Sequence, residues 1–326
     1  MAPRLSLALD TGLVRLPEDG SLVAFGAELD DTLQALPRAR TDVIQTDFPR
    51  HEALRRAGWN AMTTPRGPYA AALVVVPRSK EAARARVAAA RAVTNGPIIV
   101  DGQKTDGVES LLRAVRARVP VLEALSKAHG KLFVIEGGDF ADWTERPIQL
   151  DGFVTRPGVF SAERIDPGSA LLAAALPRDI KGRVADLGAG WGYLSRAVLV
   201  ASGVTELHLV EADATALACA RENVTDPRAR FHWDDATTHA GPAPYDAIVM
   251  NPPFHEGRRG VPDLGRAFIR SAARLLSRHG TLWLVANRHL PYETALAEAF
   301  AEVHEIGGDA RYKLFRAARS RGQKRS

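Results

Sequence analysis

In the second half of the chain, short apolar runs alternate with longer stretches whose apolar positions recur at helical spacing. "RVADLG" (183–188), "ELHLVEA" (206–212), "ARFHWDD" (229–235), the run opening at Tyr245 and "TLWLVAN" (281–287) predict strands. Between and after them, "WGYLSRAVLVAS", "ATALACARENV", "DLGRAFIRSAARLLSRHG" and "PYETALAEAF" predict helices. Regular β-α-β alternation implies a parallel, doubly wound sheet with helices on both faces. The chain closes on "AEVHEIG" and "YKLFRAAR", two strand-like pieces joined by a short turn, which predict an antiparallel hairpin at one sheet edge.

The first half repeats this order in weakened form. "YAAALVVVPRSK" (69–80) matches "YDAIVMNPPFHE" (245–256) in its Tyr, apolar run and proline. "NGPIIVDGQ" matches "HGTLWLVANR", and "GKLFVIEG" matches "YKLFRAAR". A duplicated α/β domain follows, giving two tandem Rossmann-like domains with mostly parallel sheets. The first copy has Val76-Pro77 where the second has Asn251-Pro252-Pro253-Phe254, and its glycine candidate "FGAELDD" holds a single Gly. It reads as the fold without the site. The polar "DWTERPIQLDG" marks the boundary, giving a degenerate domain over 1–145 and an intact one over 146–326.

Composition narrows the class rather than the function. With 326 residues, 46% hydrophobic and 25% charged, the chain is an ordinary globular protein of two-domain size. Asp10 and Arg15 interrupt the N-terminal stretch, so no signal peptide is expected, and no run approaches the ~20 apolar residues of a membrane span. The lone Cys219 excludes an internal disulfide and suits a reducing cytoplasm. The net charge of +5 is concentrated beyond Asp309, where basic residues occur and acids do not. That tail is either a solubilising end or a phosphate-contacting one. The histidines show no metal-binding spacing, so no metal site is expected.

The first predicted strand of the second half ends in "DLGAGWG", which places Asp186, Gly188, Ala189, Gly190 and Gly192 at a strand-to-helix turn. Glycines there admit positive φ and close approach of backbone to a ligand. A dinucleotide fingerprint would need its third Gly at 193, which is Tyr193, and no phosphate-binding P-loop is present. The turn is similar to the S-adenosylmethionine loop of class I methyltransferases, with a purely structural tight turn as the alternative. Glu211 ends the next strand, where a carboxylate can accept from both ribose hydroxyls. Asp235, following Asp234, can accept from an adenine amine with the Ala236 amide facing the ring; alternatively the two aspartates cap a helix. All these positions lie at carboxyl ends of strands, where open α/β sheets bind ligands.

Two adjacent prolines cannot continue a sheet ladder, so the strand before Asn251 must stop there. An exocyclic amine on a base is a poor nucleophile because its lone pair is delocalised. The Asn251 side-chain oxygen and the Pro252 carbonyl can both accept hydrogen bonds from one such NH₂ group, which polarises it and aims its lone pair. Pro253 stiffens the turn, and Phe254 offers a flat face for stacking a base. The pattern suits methylation of a planar nitrogen: a guanine or adenine amine in nucleic acid, or a glutamine amide in protein. A bare strand-terminating turn, or a non-catalytic RNA-binding or ribosome-assembly factor that kept the fold, are the competing readings.

With "RPGVFSAERIDPGSALL", "NPPFHEG", "LVANRHLPYE" and "YKLFRA", the chain resembles the RsmC/RlmG-type ribosomal RNA guanine-N2 methyltransferases over most of its length. The resemblance implies a decayed N-terminal copy that supports folding and RNA binding, and transfer to the N2 amine of a guanine in 16S rRNA on the assembled small subunit. A cytoplasmic monomer using S-adenosylmethionine is expected. Asp186, Gly188, Ala189, Gly190, Glu211, Asp235, Ala236 and Asn251 are then assigned to the cofactor, and Asn251 to Phe254 to the target base. Phe160 and Ser161 border the site in that picture, with a plain core position for Phe160 as the alternative. His255, Arg258 and Arg259 either meet RNA phosphates or are solvated loop charges. The target guanine must be flipped out to reach Asn251. Trp191 has no role in this scheme.

Overall fold

The periodicities of the two halves become two sheets with one strand order. The computed structural model describes residues 4–241, 244–253, 255–256, 259–260 and 262–321. The chain divides into Met1–Pro147 and Ile148–Ser326. In the first unit α1 (Arg4–Asp10) leads into β1 (Leu22–Phe25), α2 (Asp31–Gln34), β2 (Thr41–Ile44), α3 (Phe48–Arg56), β3 (Asn60–Met62) and β4 (Ala71–Val75). Then come α4 (Lys80–Val93), β5 (Ile98–Gln103), α5 (Val108–Arg116), β6 (Val121–Lys127) and β7 (Gly130–Ile135). The sheet order is β3-β2-β1-β4-β5-β7-β6, with β7 antiparallel to both β5 and β6.

The second unit opens with the short antiparallel pair β8 (Ile148–Leu150) and β9 (Phe153–Thr155), followed by α6 (Pro167–Ala175). The winding then runs through β10 (Gly182–Leu187), α7 (Tyr193–Leu199), β11 (Val204–Glu211), α8 (Ala214–Asn223), β12 (Ala229–Trp233) and β13 (Tyr245–Met250). The two-residue strands β14 (His255–Glu256) and β15 (Arg259–Gly260) pair with each other. The chain ends through α9 (Pro262–Leu275), β16 (Leu276–Asn287), α10 (Tyr292–Ala299), β17 (Phe300–Gly308) and β18 (Tyr312–Ser320). The order β12-β11-β10-β13-β16-β18-β17 reproduces that of the first unit, including the antiparallel hairpin at the edge.

Each sheet is buried on both faces, which is why its inner strands read as unbroken apolar runs. Successive residues of β10 show the division: Ala185 and Leu187 join Ile248, Phe268 and Leu284 on one side, while Val184 joins Leu207, Val249 and Leu172 on the other. One boundary departs from expectation. The amphipathic pattern predicts a helix running to Gly280, yet α9 stops at Leu275, and Leu276 already pairs with Tyr245. Gly280 lies so close to the Tyr245 carbonyl that a Cβ would stand 2.8 Å from it. Sheet pairing therefore overrides the local helical pattern at this point. Among the described residues, no helix is long and apolar enough to cross a membrane.

Candidate active site

The strand order reverses direction between β10 and β13, the topological switch point at which open α/β sheets hold ligands. The turn leaving β10 there is built on positive-φ glycines: Gly188 at 76°, Gly190 at 55° and Gly192 at 91°. An L side chain at such angles is strained. The amides of Gly188 and Ala189 donate to the Val210 carbonyl at 2.9 and 3.1 Å, which ties the turn to β11. A Cβ on Gly190 would meet nothing within 4 Å, so at this residue the loop faces an open cleft.

Two acids lie beneath the loop. Glu211, at the end of β11, accepts the Gly190 amide on Oε2 at 2.7 Å and the Asp213 amide on Oε1 at 2.8 Å. Each carboxylate oxygen has two lone-pair sites, so both retain capacity for a further donor such as a ribose hydroxyl. Burial pushes the Glu211 carboxyl up to about 7 despite those amide bonds. Asp186, fully buried at the end of β10, accepts the Ser195 hydroxyl on Oδ2 at 2.7 Å. Its Oδ1 has no hydrogen-bond partner among the described residues. Burial raises Asp186 to about 7 as well, with the Ser195 bond opposing and the Glu211 charge adding.

At the end of β12 the two aspartates divide their tasks. Asp234 Oδ2 faces His239 Nδ1 at 2.6 Å, and His239 Nε2 lies 3.3 Å from the Tyr245 hydroxyl, which links this strand end to β13. Asp235 Oδ1 accepts both the Thr237 amide at 2.8 Å and the Thr237 hydroxyl at 2.7 Å. These bonds close a turn rather than cap a helix, since among the described residues no helix lies between β12 and β13, and buried Ala236 follows Asp235 in that turn.

Asn251 follows β13 directly. Its Nδ2 donates to Asp166 Oδ2 at 2.9 Å and to Ser169 Oγ at 2.8 Å. Both N–H bonds are thereby used, and Oδ1 is the remaining polar end of the carboxamide. A small cleft brings Asn251, Asp166 and Ser169 together with Gly188, Ala189, Gly190, Phe160 and Ser161. Phe160 is 56% exposed, so the core alternative for it does not hold.

Trp191 gains a role that the sequence does not reveal. Its ring is buried, its Nε1 donates to the Phe160 carbonyl at 2.9 Å, and it packs edge-on to Phe153 with centroids 5.0 Å apart. Asn223 Nδ2 donates to the carbonyls of both Trp191 and Val154 at 2.8 Å. The tryptophan thus staples the Phe160 segment to the glycine loop. Asp166 and Ser169 were also missed; locally they show only as a helix start, Asp-Pro-Gly-Ser, in which Asp166 caps α6 by accepting the Ser169 amide at 2.8 Å. Phe254 and Arg258 lie outside the described residues. His255 and Arg259 are placed only by their backbone, in the β14–β15 pair.

The first unit repeats this frame with other residues. Gln45 stands at the end of β2 as Glu211 does at the end of β11; its Oε1 accepts the Asp47 amide and its Nε2 donates to the Ala27 carbonyl. Asp47 caps α3 as Asp213 caps α8. The guanidinium of Arg86 on α4 would stand 2.0 Å from a Cβ on Gly26, and its Nη1 donates to the Val75 carbonyl at 2.8 Å. Phe268 of α9 occupies the matching place beside Gly188.

A doubly wound sheet with a strained glycine turn, an acid at the end of each of the next two strands and an Asn-Pro-Pro turn on the far side of the switch point defines a class I S-adenosylmethionine-dependent methyltransferase. Residues 151–316 match the family model described as the methyltransferase small domain. The chain is 28% identical to ribosomal RNA small subunit methyltransferase C of Shewanella baltica, over 90% of this chain and 87% of that one. It is 31% identical to the same-named protein of Idiomarina loihiensis, over 69% of this chain and 71% of that one. Among solved structures it is similar to the T. thermophilus 16S rRNA N2 methyltransferase RsmC in complex with AdoMet and guanosine, with a TM-score of 0.77, 25% identity, and coverage of 97% of this chain and 92% of that one. The chain belongs to the RsmC family of methyltransferases.

Proposed function

We propose that this enzyme methylates the exocyclic N2 amine of a guanine in 16S rRNA, acting as a monomer on the assembled small subunit. The observation that carries the proposal is Asn251: its amide nitrogen is tied back to Asp166 and Ser169, and its carbonyl oxygen is left as the acceptor in the cleft that holds Gly188 and Gly190. Bound S-adenosylmethionine supplies an electrophilic methyl carbon on a sulfonium. In this proposal Glu211, beneath the loop, is assigned to the ribose hydroxyls, and Asp235 with the Ala236 amide to the adenine edge. The orphan Oδ1 of Asp186 and the open space above Gly190 fit a ligand at this loop.

Asn251 Oδ1 and the Pro252 carbonyl accept from the two N–H bonds of the target amine, which holds its lone pair toward the methyl group. Transfer would form the N–C bond as the bond between that methyl carbon and the sulfonium breaks and a neutral thioether leaves; the amine then carries the positive charge, which these two acceptors favour. The surplus proton passes to water. Such orientation and charge stabilisation in a sheltered cleft contribute on the order of 10²–10³ in rate. Phe254 is assigned to stacking the flipped base, and His255, Arg258 and Arg259 to the surrounding phosphates.

The first unit, in this proposal, serves folding and RNA contact without a cofactor of its own. Two substitutions support that: Gln45 in place of the second acid, and Val76-Pro77 in place of the Asn-Pro-Pro turn. The test is labelled-methyl transfer to small subunits, large subunits and free rRNA from cells lacking this protein, followed by nucleoside mass spectrometry. N2-methylguanosine in the small subunit alone is the expected product. Label in adenosine or in protein would overturn the substrate, and label only in free rRNA would overturn the assembled-subunit assignment.

A further inference from the structure

The carboxamide of Asn251 serves the proposed reaction only in one of its two orientations. With Oδ1 toward the amine it accepts a hydrogen bond; rotated by half a turn it presents N–H bonds and repels the same group. Pro252 and Pro253 fix the backbone but do not choose between these orientations. The choice is made by what stands behind the side chain, and there the structure places an acceptor-only carboxylate. Asp166 Oδ2 accepts from Asn251 Nδ2 at 2.9 Å, and Ser169 Oγ lies 2.8 Å from the same nitrogen. A carboxylate oxygen cannot donate, so a reversed amide would set its own oxygen against Asp166 Oδ2; the Ser169 hydroxyl can bond the carboxamide in either orientation, so it adds hold while the carboxylate makes the choice.

The support is itself held firmly. Asp166 and Ser169 are each 8% exposed. The oxygen that receives Asn251 also accepts the Ser169 amide at 2.8 Å, so it caps α6 and holds the catalytic turn at once. Gly168 between them admits no side chain: a Cβ would stand 2.9 Å from the Tyr312 ring and 3.1 Å from Asp166 Oδ2. The N-terminus of α6 is thus seated against β18 with its cap facing β13. A helix cap alone would need neither the Ser169 hydroxyl nor the approach to Asn251.

We propose that Asp166 and Ser169 are positioning residues that lock the Asn251 carboxamide with its oxygen toward the target amine. This rests on the function proposed above for Asn251. Asp166→Ser retains a capping oxygen but is too short to reach Asn251, and Ser169→Ala removes the second acceptor. Each variant is expected to lower kcat roughly 10- to 100-fold, the worth of a hydrogen bond to a charged or oriented group, with KM for the small subunit little changed. The decisive arm is a conservative rescue. Asp166→Asn keeps an oxygen where Oδ2 accepts both the Ser169 amide and Asn251 Nδ2, and it is expected to recover at least about tenfold in kcat over Asp166→Ser. In parallel, ¹⁵N-asparagine NMR should show slowly exchanging Nδ2 protons of Asn251 in the wild type that exchange fast in Asp166→Ser. Unchanged kcat and unchanged amide exchange in Asp166→Ser, or no recovery in Asp166→Asn, would overturn the proposal. If the wild type transfers no methyl group to the subunit, the assigned reaction fails while the NMR arm still decides the orientation lock.

Discussion

The perturbation with the sharpest expected signature is Glu211→Gln, read as the pH dependence of cofactor binding. In the ligand-free protein burial holds the Glu211 carboxyl at about 7. Two ribose hydroxyls donating to it, and a sulfonium bound nearby, favour the ionised form and lower that value in the complex. Binding below pH 7 then has to release a proton. With a free-state value of about 7, roughly a tenth of the carboxyl is ionised near pH 6 and roughly nine tenths near pH 8. Affinity should therefore rise about tenfold across that interval, equivalent to ~1.4 kcal/mol. Asp186, raised to about 7 and coupled to Glu211 through its charge, steepens the rise if both ionise together. Calorimetry in buffers of different ionisation enthalpy measures both the affinity and the protons released. The amino group of the cofactor titrates in the same range, so the comparison is with Glu211→Gln, which shares that term but lacks the carboxyl. Gln45 occupies the matching position of the first unit with the same amide bond to the residue two places on, so the substitution suits the backbone frame. Identical pH profiles for the two proteins would refute the reasoning. The ligand-free fold carries the reverse dependence: a carboxyl raised above its unfolded value stabilises while protonated, and that contribution is lost as pH rises through about 7.

Asn251→Ala should lower kcat by about 10²–10³, measured as labelled-methyl transfer per folded molecule, with a modest fall in melting temperature from the lost bonds to Asp166 and Ser169; wild-type turnover would remove Asn251 from the mechanism. Trp191→Ala removes a buried ring and its bond to the Phe160 carbonyl, and should cost ~3–5 kcal/mol in denaturant unfolding; a loss below about 1 kcal/mol would mean that the staple is dispensable. Titration calorimetry should give one cofactor per chain, because the first unit has Gln45 in place of the second acid and Val76-Pro77 in place of the Asn-Pro-Pro turn; a second equivalent would contradict that. Gly190→Ala meets no neighbour within 4 Å, so its stability cost is the strain of a φ of 55°, ~1–2 kcal/mol, separable from its effect on affinity by melting the ligand-free protein.

Much of the second unit was legible because both faces of its sheet are covered, which turns strands into plain apolar runs ended by glycine or proline. The glycine turn, Glu211 and Asn251 stand out for the same reason: each interrupts a run at its carboxyl end. The stop of α9 at Leu275 was not legible, since Leu276 satisfies the helical pattern equally well and only its pairing with Tyr245 decides. Asp166 escaped notice because its contact with Asn251 joins residues 85 positions apart, while its local signal is fully explained as a helix cap. Trp191 was unreadable for a similar reason, its partners Phe153, Phe160 and Asn223 being scattered on both sides of the loop. In the first unit the absence of the Asn-Pro-Pro turn could be seen in the sequence, but the guanidinium beside Gly26 could not.

The Trp191 staple constrains how this lineage can diverge. Phe153 and Trp191 form a buried aromatic pair, the indole bonds the main-chain carbonyl of the exposed Phe160, and the Asn223 amide clasps two strands of chain. A smaller residue at 191 leaves the Phe160 segment unanchored and Phe153 without its ring partner, so that change alone is penalised twice. Descendants that lose the tryptophan must refill the space beside Phe153, so 153 and 191 should vary together, whereas 223 reaches only main-chain carbonyls and can stay as it is.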